Sequence, residues 1–598
     1  MDMYGFYTGE IFDAYEYLGA HITPEGTIFR TFAPGAERIE VLIGGRAVPM
    51  RRVHDGNFYE AMVPEAGEGS VYEYRIWKRD GSFQDHCDPY GFGMELRPDH
   101  KSVVRSLGAY TFHDQQWMKR RTARQDGPLN IYEMHAGSWR RKEDGSWYGY
   151  AQLAKPLIDY LKAGGYNYVE FLPLGEHPCD ESWGYQATGF FAPTSRYGTA
   201  AELMELIDLL HQNGIGAILD FVPAHFALDA YGLSQYDGTA LYEYPHQDVG
   251  VSEWGSCNFM HSRGEVRSFL QSAANYWLKE YHFDGLRMDA ISRMIYWQGD
   301  ERRGVNGNAT AFLKHMNQGL KKLHPGCILA AEDSTNFPGV TKSTDQGGLG
   351  FDYKWDLGWM HDTLEYFQSN PEDRTEKYHK LTFSMMYFRD EHFLLPFSHD
   401  EVVHGKATVL QKMNGQYEQK FPQARAMYLY MMIHPGKKLN FMGNEIGHFR
   451  EWDEKREQDW ELLRYPVHDA FHHYISELNG LYLSHPAFWA WDYRDEGFEW
   501  LDCHQEERRI YAVLRRSGKE RLAAVFNFSE QRQEEYRIRL SGLKAGKVLL
   551  YSDWQRFGGS TREDECVLWM EGDELVCTLQ PFSAVLAECT GKETLSPK

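Results

Sequence analysis

Between Leu129 and about Pro486 short apolar runs alternate with helical patterns, and this alternation narrows the possible folds more than any other feature of the chain. Eight runs read as strands: IYEMH from Ile131, YVEFL from Tyr168, GAILDFV from Gly216, GLRMD from Gly285, ILAAED from Ile328, FDYKW from Phe351, LLPFSHD from Leu394 and LNFMG from Leu439. Helical spacing appears between them. Leu203, Leu206, Ile207 and Leu210 make one apolar stripe, and Val266, Phe269, Leu270, Ala273 and Trp277 another. Eight β-then-α units predict a closed (β/α)8 barrel of the TIM type. The unit after Glu332 reads as loop, without a clear helix.

The flanks follow another grammar. Before the barrel, Ile39, Val41 and Ile43 alternate with other residues, as do Tyr72, Tyr74 and Ile76, with Gly and Asp clusters between the runs. That is the pattern of a small β-sandwich. After about Pro486, Tyr536, Ile538 and Leu540 alternate, and VLLY from Val548 and SAVLAE from Ser583 read as further strands. A chain of 598 residues is too long for one core. The expected fold class is multidomain: a central (β/α)8 barrel at 111–490, an N-terminal β-sandwich at 1–110 and a C-terminal all-β sandwich domain at 491–598. A polar stretch from Lys119 to Gly127 reads as a linker, and the last few residues are expected to fray.

Composition bears on partners. A formal net charge of -23 argues against nucleic acid and anionic membranes, and is compatible with a neutral substrate. The 17 Trp and 38 Tyr are either a large core or flat surfaces for the C–H faces of sugars. The 8 cysteines include no C-x-x-C pair, which argues against a zinc site or a disulfide framework. Met1 to Glu10 has neither a basic nor an apolar signal region, and no apolar run reaches membrane-spanning length. The expectation is a cytoplasmic enzyme with no nucleic-acid or membrane partner.

Catalytic groups of such a barrel sit where its strands end. Asp220, Asp289, Glu332 and Asp400 fall at the ends of the third, fourth, fifth and seventh candidate strands. Any one of them alone reads as an ion pair or a cap; four at corresponding positions are harder to dismiss. Retaining glycoside chemistry needs two carboxyl groups about 5–5.5 Å apart, one a nucleophile and one an acid/base. Adjacent strands lie about 4.8 Å apart, so Asp289 and Glu332 can converge. Arg287 points to the same side as Asp289 and is expected to keep it ionised, or else to serve a buried structural ion pair. His225 and His399 stand close to candidate acids and are placed to donate to sugar hydroxyls, although a lone loop histidine is more often structural.

Four segments in order, DFVPAHF from Asp220, GLRMDA from Gly285, AEDST from Ala331 and FSHDEV from Phe397, resemble the signature regions of the α-amylase superfamily. The resemblance implies Asp289 as nucleophile, Glu332 as general acid/base and Asp400 as the third acid. It implies Arg287, His225 and His399 as supporting residues and Asp220 as an electrostatic partner. Further segments narrow it. YEMHAGSW from Tyr132, WGYQATGFFAPTSRYGT from Trp183, DGTALYEY from Asp237, KWDLGWMHDTLEYF from Lys354, SHDEVVHGK from Ser398 and MGNEIGHFREW from Met442 resemble glycogen-branching enzymes. On that resemblance Tyr185 stacks under the sugar at the cleavage site; otherwise it is a buried aromatic beside Trp183. FRTFAPGAERIEVLIG from Phe29 resembles the family's glucan-binding-type module. Asn258, Met260, His261, Ser262 and His361 depart from the family's usual residues, and none of them is a candidate catalytic group.

The implied activity is a retaining transglycosylation. An α-1,4 bond is cut and the piece rejoined to a 6-hydroxyl, with glycogen, amylose or amylopectin as the α-glucan partner. The implied enzyme is a monomer and needs no metal or organic cofactor. The sequence leaves two alternatives open: a hydrolase with the same triad, separated only by product, and a catalytically silent glucan-binding protein, which the intact carboxylate set disfavours.

Overall fold

The computed structural model describes residues 1–540 and 542–591; the expected fraying of the last residues falls on 592–598, outside them. All eight anticipated barrel strands are present. They are β1 (Asn130–Met134), β2 (Tyr168–Phe171), β3 (Gly216–Phe221), β4 (Gly285–Met288), β5 (Ile328–Ala331), β6 (Tyr353–Trp355), β7 (Phe393–Phe397) and β8 (Lys437–Phe441). They close in that order into a barrel. Nearly every strand residue is buried. Strands covered on both faces read as continuous apolar runs rather than alternating ones, as here.

Seven connections carry a helix: α1 (Tyr150–Gly164), α2 (Ala200–Gln212), α3 (Gly264–Lys279), α4 (Gly307–Leu323), α5 (Leu357–Gln368), α6 (Tyr417–Ile433) and α7 (Pro466–Ser484). The predicted stripes are buried on α2 and α3. Thr199 and Glu202 form a reciprocal cap that starts α2, and Asn306 accepts the Ala309 N–H at the start of α4. After β5 only one short turn, Thr344–Gln346, breaks the loop to β6. Gly347 and Gly350 there have φ of +88° and +81°, backbone that a helix cannot use.

The chain divides into two compact units, residues 1–123, 135–158 and 170–352 in one and residues 124–134, 159–169 and 353–598 in the other. In the first unit, two N-terminal antiparallel sheets carry the predicted strands Arg38–Ile43 and Val71–Trp77, with Gly26–Phe32 in the facing sheet. Phe29 meets Tyr72 edge-on at 4.7 Å, joining the two sheets through aromatic packing. A short helix at Met3–Thr8 docks on α3, where the Ser268 hydroxyl donates to Phe6 O at 2.9 Å. A side chain at Gly264 would meet Tyr7 O at 1.7 Å, so this approach requires glycine.

The polar stretch read as a linker begins inside a helix, Gln115–Arg120, and the residues just before it are pinned by charge. His211 at the end of α2 donates from Nδ1 to Asp114 Oδ2 at 2.7 Å and from Nε2 to Asp284 Oδ2 at 2.8 Å. Burial alone would lower the imidazole pKa, but the carboxylates of Asp284 and Asp114 outweigh it and push it up to about 9. His211 is therefore an imidazolium at neutral pH. Its stabilisation is complete below the ordinary value of 6.5 and is lost as pH rises through about 9. His211→Gln is expected to cost about 3 kcal/mol near pH 6. That deficit should shrink in thermal unfolding at pH 10, and a pH-independent deficit would show that His211 is neutral.

In the second unit α6 is buried along most of its length and α7 follows β8. The C-terminal all-β region forms a five-stranded and a three-stranded sheet, with the predicted strands at Gln533–Arg539, Leu543–Tyr551 and Ser583–Gly591. Tyr536 OH donates to Asp502 at 2.5 Å, tying one sheet to the other. Among the described residues no helix is long and apolar enough to cross a membrane.

Candidate active site

β3 and β4 pair in parallel with Asp220 opposite Arg287, and β4 and β5 pair with Met288 opposite Ala331. The ladder runs one residue past the strand ends. The Asp289 N–H reaches Phe221 O at 3.0 Å and the Glu332 N–H reaches Met288 O at 3.0 Å. Both acids are therefore held by sheet hydrogen bonds at the C-terminal rim. Ala290 then takes a left-handed φ of +51°. This costs a non-glycine residue on the order of 1 kcal/mol. It allows the Ala290 N–H to bind Glu332 Oε2 at 3.1 Å.

Arg287 is the hub, fully buried. One terminal nitrogen donates to Asp220 Oδ2 at 2.7 Å and to Asp289 Oδ1 at 3.0 Å. The other donates to Glu332 Oε2 at 2.8 Å. Tyr185 OH donates to Asp220 Oδ2 and lies 3.3 Å from the guanidinium. Its position follows a tight turn in which Gly184 has φ of +94°, and a side chain there would meet Pro173 O at 2.4 Å.

Three carboxyl groups surround one guanidinium. Burial pushes the Asp289 carboxyl well above its ordinary range, the neighbouring Glu332 charge adds to this, and Arg287 opposes it without winning. The expectation that Arg287 keeps Asp289 ionised thus needs correction: the guanidinium acts in that direction but burial and like charge outweigh it. Arg287 is the influence that favours the ionised, nucleophilic form of Asp289. Asp220 adds to the upward shift through its charge. Asp220→Asn should therefore move the acidic limb of the kcat/KM profile to lower pH, because that limb reports ionisation of the Asp289 nucleophile. An unmoved or raised limb would refute the charge argument.

His225 is buried, with Nδ1 lacking a hydrogen-bond partner. Burial, helped by Arg293, lowers its pKa to about 4, so it is neutral at pH 7. Its ring lies 5.2 Å from that of Trp254. In the second unit, His399 follows β7. Its N–H and Nδ1 donate to Glu133 at 3.0 and 2.6 Å, and its Nε2 faces Asp400 Oδ1 at 3.4 Å. Glu133, on β1, orients the ring and fixes which nitrogen faces Asp400. The sequence reading gave Glu133 no role: 266 positions separate it from His399. The family-departing residues have local partners. Asn258 donates to Val249 O at 2.9 Å, His261 contacts Pro223 O at 2.9 Å, and His361 faces Glu401 at 3.3 Å.

A profile of the alpha-1,4-glucan branching enzyme GlgB N-terminal domain matches residues 2–90. Profiles of the alpha amylase catalytic domain and C-terminal all-beta domain match residues 113–237 and 500–590. The chain is 43% identical to the 1,4-alpha-glucan branching enzyme GlgB of Bacillus caldolyticus, over 94% of this chain and 86% of that one. The chain belongs to the GlgB branching-enzyme family. It is likewise 42% identical to the GlgB of Halothermothrix orenii, over 95% of this chain and 94% of that one. Among solved structures it resembles the pullulanase of Paenibacillus barengoltzii, with a TM-score of 0.72 and 17% identity over 98% of this chain and 96% of that one. The pullulanase of Bacillus acidopullulyticus gives a TM-score of 0.72 at 17% identity, over 96% of this chain and 74% of that one. Those two likenesses show the multidomain barrel fold. GlgB membership rests on the closer relatives.

Proposed function

We propose that this GlgB-family enzyme cuts α-1,4 bonds inside a linear glucan and rejoins the freed piece to a 6-hydroxyl, forming α-1,6 branches. The observation that carries the mechanism is the single buried guanidinium gripping Asp220, Asp289 and Glu332 at the rim of neighbouring strands. Asp289 attacks C1 of a glucose unit and Glu332 gives its proton to the departing O4. A covalent glucosyl-enzyme results, with the configuration at C1 inverted. Glu332, now ionised, takes the proton of an incoming 6-hydroxyl, whose oxygen displaces Asp289 and restores the configuration. Asp400 binds the sugar at the cleavage site and stabilises the oxocarbenium-like transition state. Tyr185 stacks beneath that sugar. Neutral His225 presents its nitrogen to the hydroxyls of that sugar, and His399, oriented by Glu133, lies beside Asp400 to do the same.

The 6-hydroxyl must be favoured over water by positioning alone. The working assignment is a cytoplasmic monomer acting on glycogen, amylose or amylopectin. Its modules are placed at 1–110, 111–490 and 491–598, supported by the three separate profile matches. Incubation with amylose tests the activity, followed by iodine absorbance, reducing ends and proton NMR. Falling iodine colour with steady reducing ends and new α-1,6 signals is expected. Rising reducing ends without α-1,6 signals would make the enzyme a hydrolase.

A further inference from the structure

The branching reaction needs a surface for the glucose unit that carries the incoming hydroxyl, and no residue above supplies one. Trp254 is 46% exposed, uncommon for an indole beside buried catalytic groups. It is not loosely hung. Its turn closes through Gly255 N–H to Ser252 O at 3.1 Å and Ser252 N–H to Ser256 O at 2.8 Å, and the Ser252 hydroxyl accepts the Trp254 N–H at 3.2 Å. Just beyond, Cys257–Asn258 pairs antiparallel with His225–Phe226, so the turn is fixed to the strand of His225. Gln186, next to Tyr185, donates to Trp254 O at 3.1 Å. The Arg293 guanidinium lies 5.0 Å from the indole ring.

We infer that Trp254 is the platform on which the acceptor-side glucose stacks, with the Arg293–Glu253 ion pair as its polar flank. An exposed indole covers the C–H face of a pyranose, and hydroxyls at the ring edge meet the donors beside it. The side of the bond follows from the chain path. Ala290 N–H and Ile291 N–H bind Glu332, and the Arg293 N–H binds Ala290 O at 2.9 Å, so one tight turn runs from Glu332 to the residue lying over Trp254. Glu332 protonates the leaving oxygen and deprotonates the incoming one. The sugar bearing that oxygen sits on Glu332's side, and the turn hydrogen-bonded to Glu332 carries the Arg293 that covers Trp254. This inference rests on the branching reading.

The test uses α-maltohexaosyl fluoride as donor, because fluoride leaves without any sugar on the acceptor side, and maltooligosaccharide as acceptor. Trp254→Ala is expected to reduce α-1,6 transfer about tenfold more than fluoride release, and to raise the half-saturating acceptor concentration. Trp254→Phe should recover most of the transfer, since a phenyl face still stacks. Equal losses in release and transfer would place Trp254 on the donor side and overturn the inference, as would an unchanged partition between water and acceptor. Absence of α-1,6 product from the unaltered enzyme would instead overturn the branching reading itself.

Discussion

Asp289→Asn lowers amylose cleavage by about four orders of magnitude while leaving the fold intact. The amide keeps the size of the carboxyl group and still accepts from Arg287, which lies 3.0 Å from Asp289 Oδ1. What it loses is the ability to form a glycosyl ester. Residual turnover reflects binding and the remaining charges alone. The control is thermal unfolding: a melting temperature close to that of the unaltered enzyme attributes the loss to chemistry. Asp289→Ala with azide sharpens the test, because azide entering the vacated space attacks C1 from the same face and yields the β-glycosyl azide. Activity like that of the unaltered enzyme in Asp289→Asn would end the mechanism, and an α-glycosyl azide would move the nucleophile elsewhere.

Glu332→Gln has a similarly large effect on amylose, about 10³-fold, but a much smaller one on a fluoride donor. Natural O4 needs a proton to depart and fluoride does not. The second step still lacks its base, so the glycosyl-enzyme outlives its formation. Intact-protein mass spectrometry of this variant with α-maltohexaosyl fluoride is expected to show an added maltohexaosyl mass, and peptide mapping to place it on Asp289. Equal losses on amylose and fluoride would strip Glu332 of the acid role. A label on Asp220 or Asp400 would reassign the nucleophile. The geometry favours Asp289, since Asp220 is sealed by Arg287 and Tyr185 with no exposed side-chain surface, whereas 14% of the Asp289 side chain remains open.

Much of the site was legible beforehand because of what strands do. Side chains alternate along a strand, so Arg287 and Asp289 share a side whatever surrounds them. Strand ends of a barrel share a rim, so Asp220, Asp289 and Glu332 were recognisable as neighbours once the strands had been counted. The missing helix after β5 was legible too, because Pro338, Gly339, Gly347, Gly348 and Gly350 crowd one connection. By contrast, the balance of charge around Asp289 was not. Residue types announce attraction to Arg287, but burial decides the outcome, and burial is a property of everything packed around the pair.

By itself the sequence determined the order of elements, the barrel with its two β flanks and the identity of the acids at the strand ends, because these follow from local periodicity and short spacings. Only the tertiary structure decided which residues share an environment. It joined Glu133 to His399 across 266 positions, set Trp254 beside His225 and Arg293, and made His211 an imidazolium between Asp114 and Asp284. The reason is physical. Periodicity is carried by bonds between near neighbours in the chain, whereas protonation state and sugar contact depend on desolvation and on charges brought close from afar, which exist only once the chain has packed.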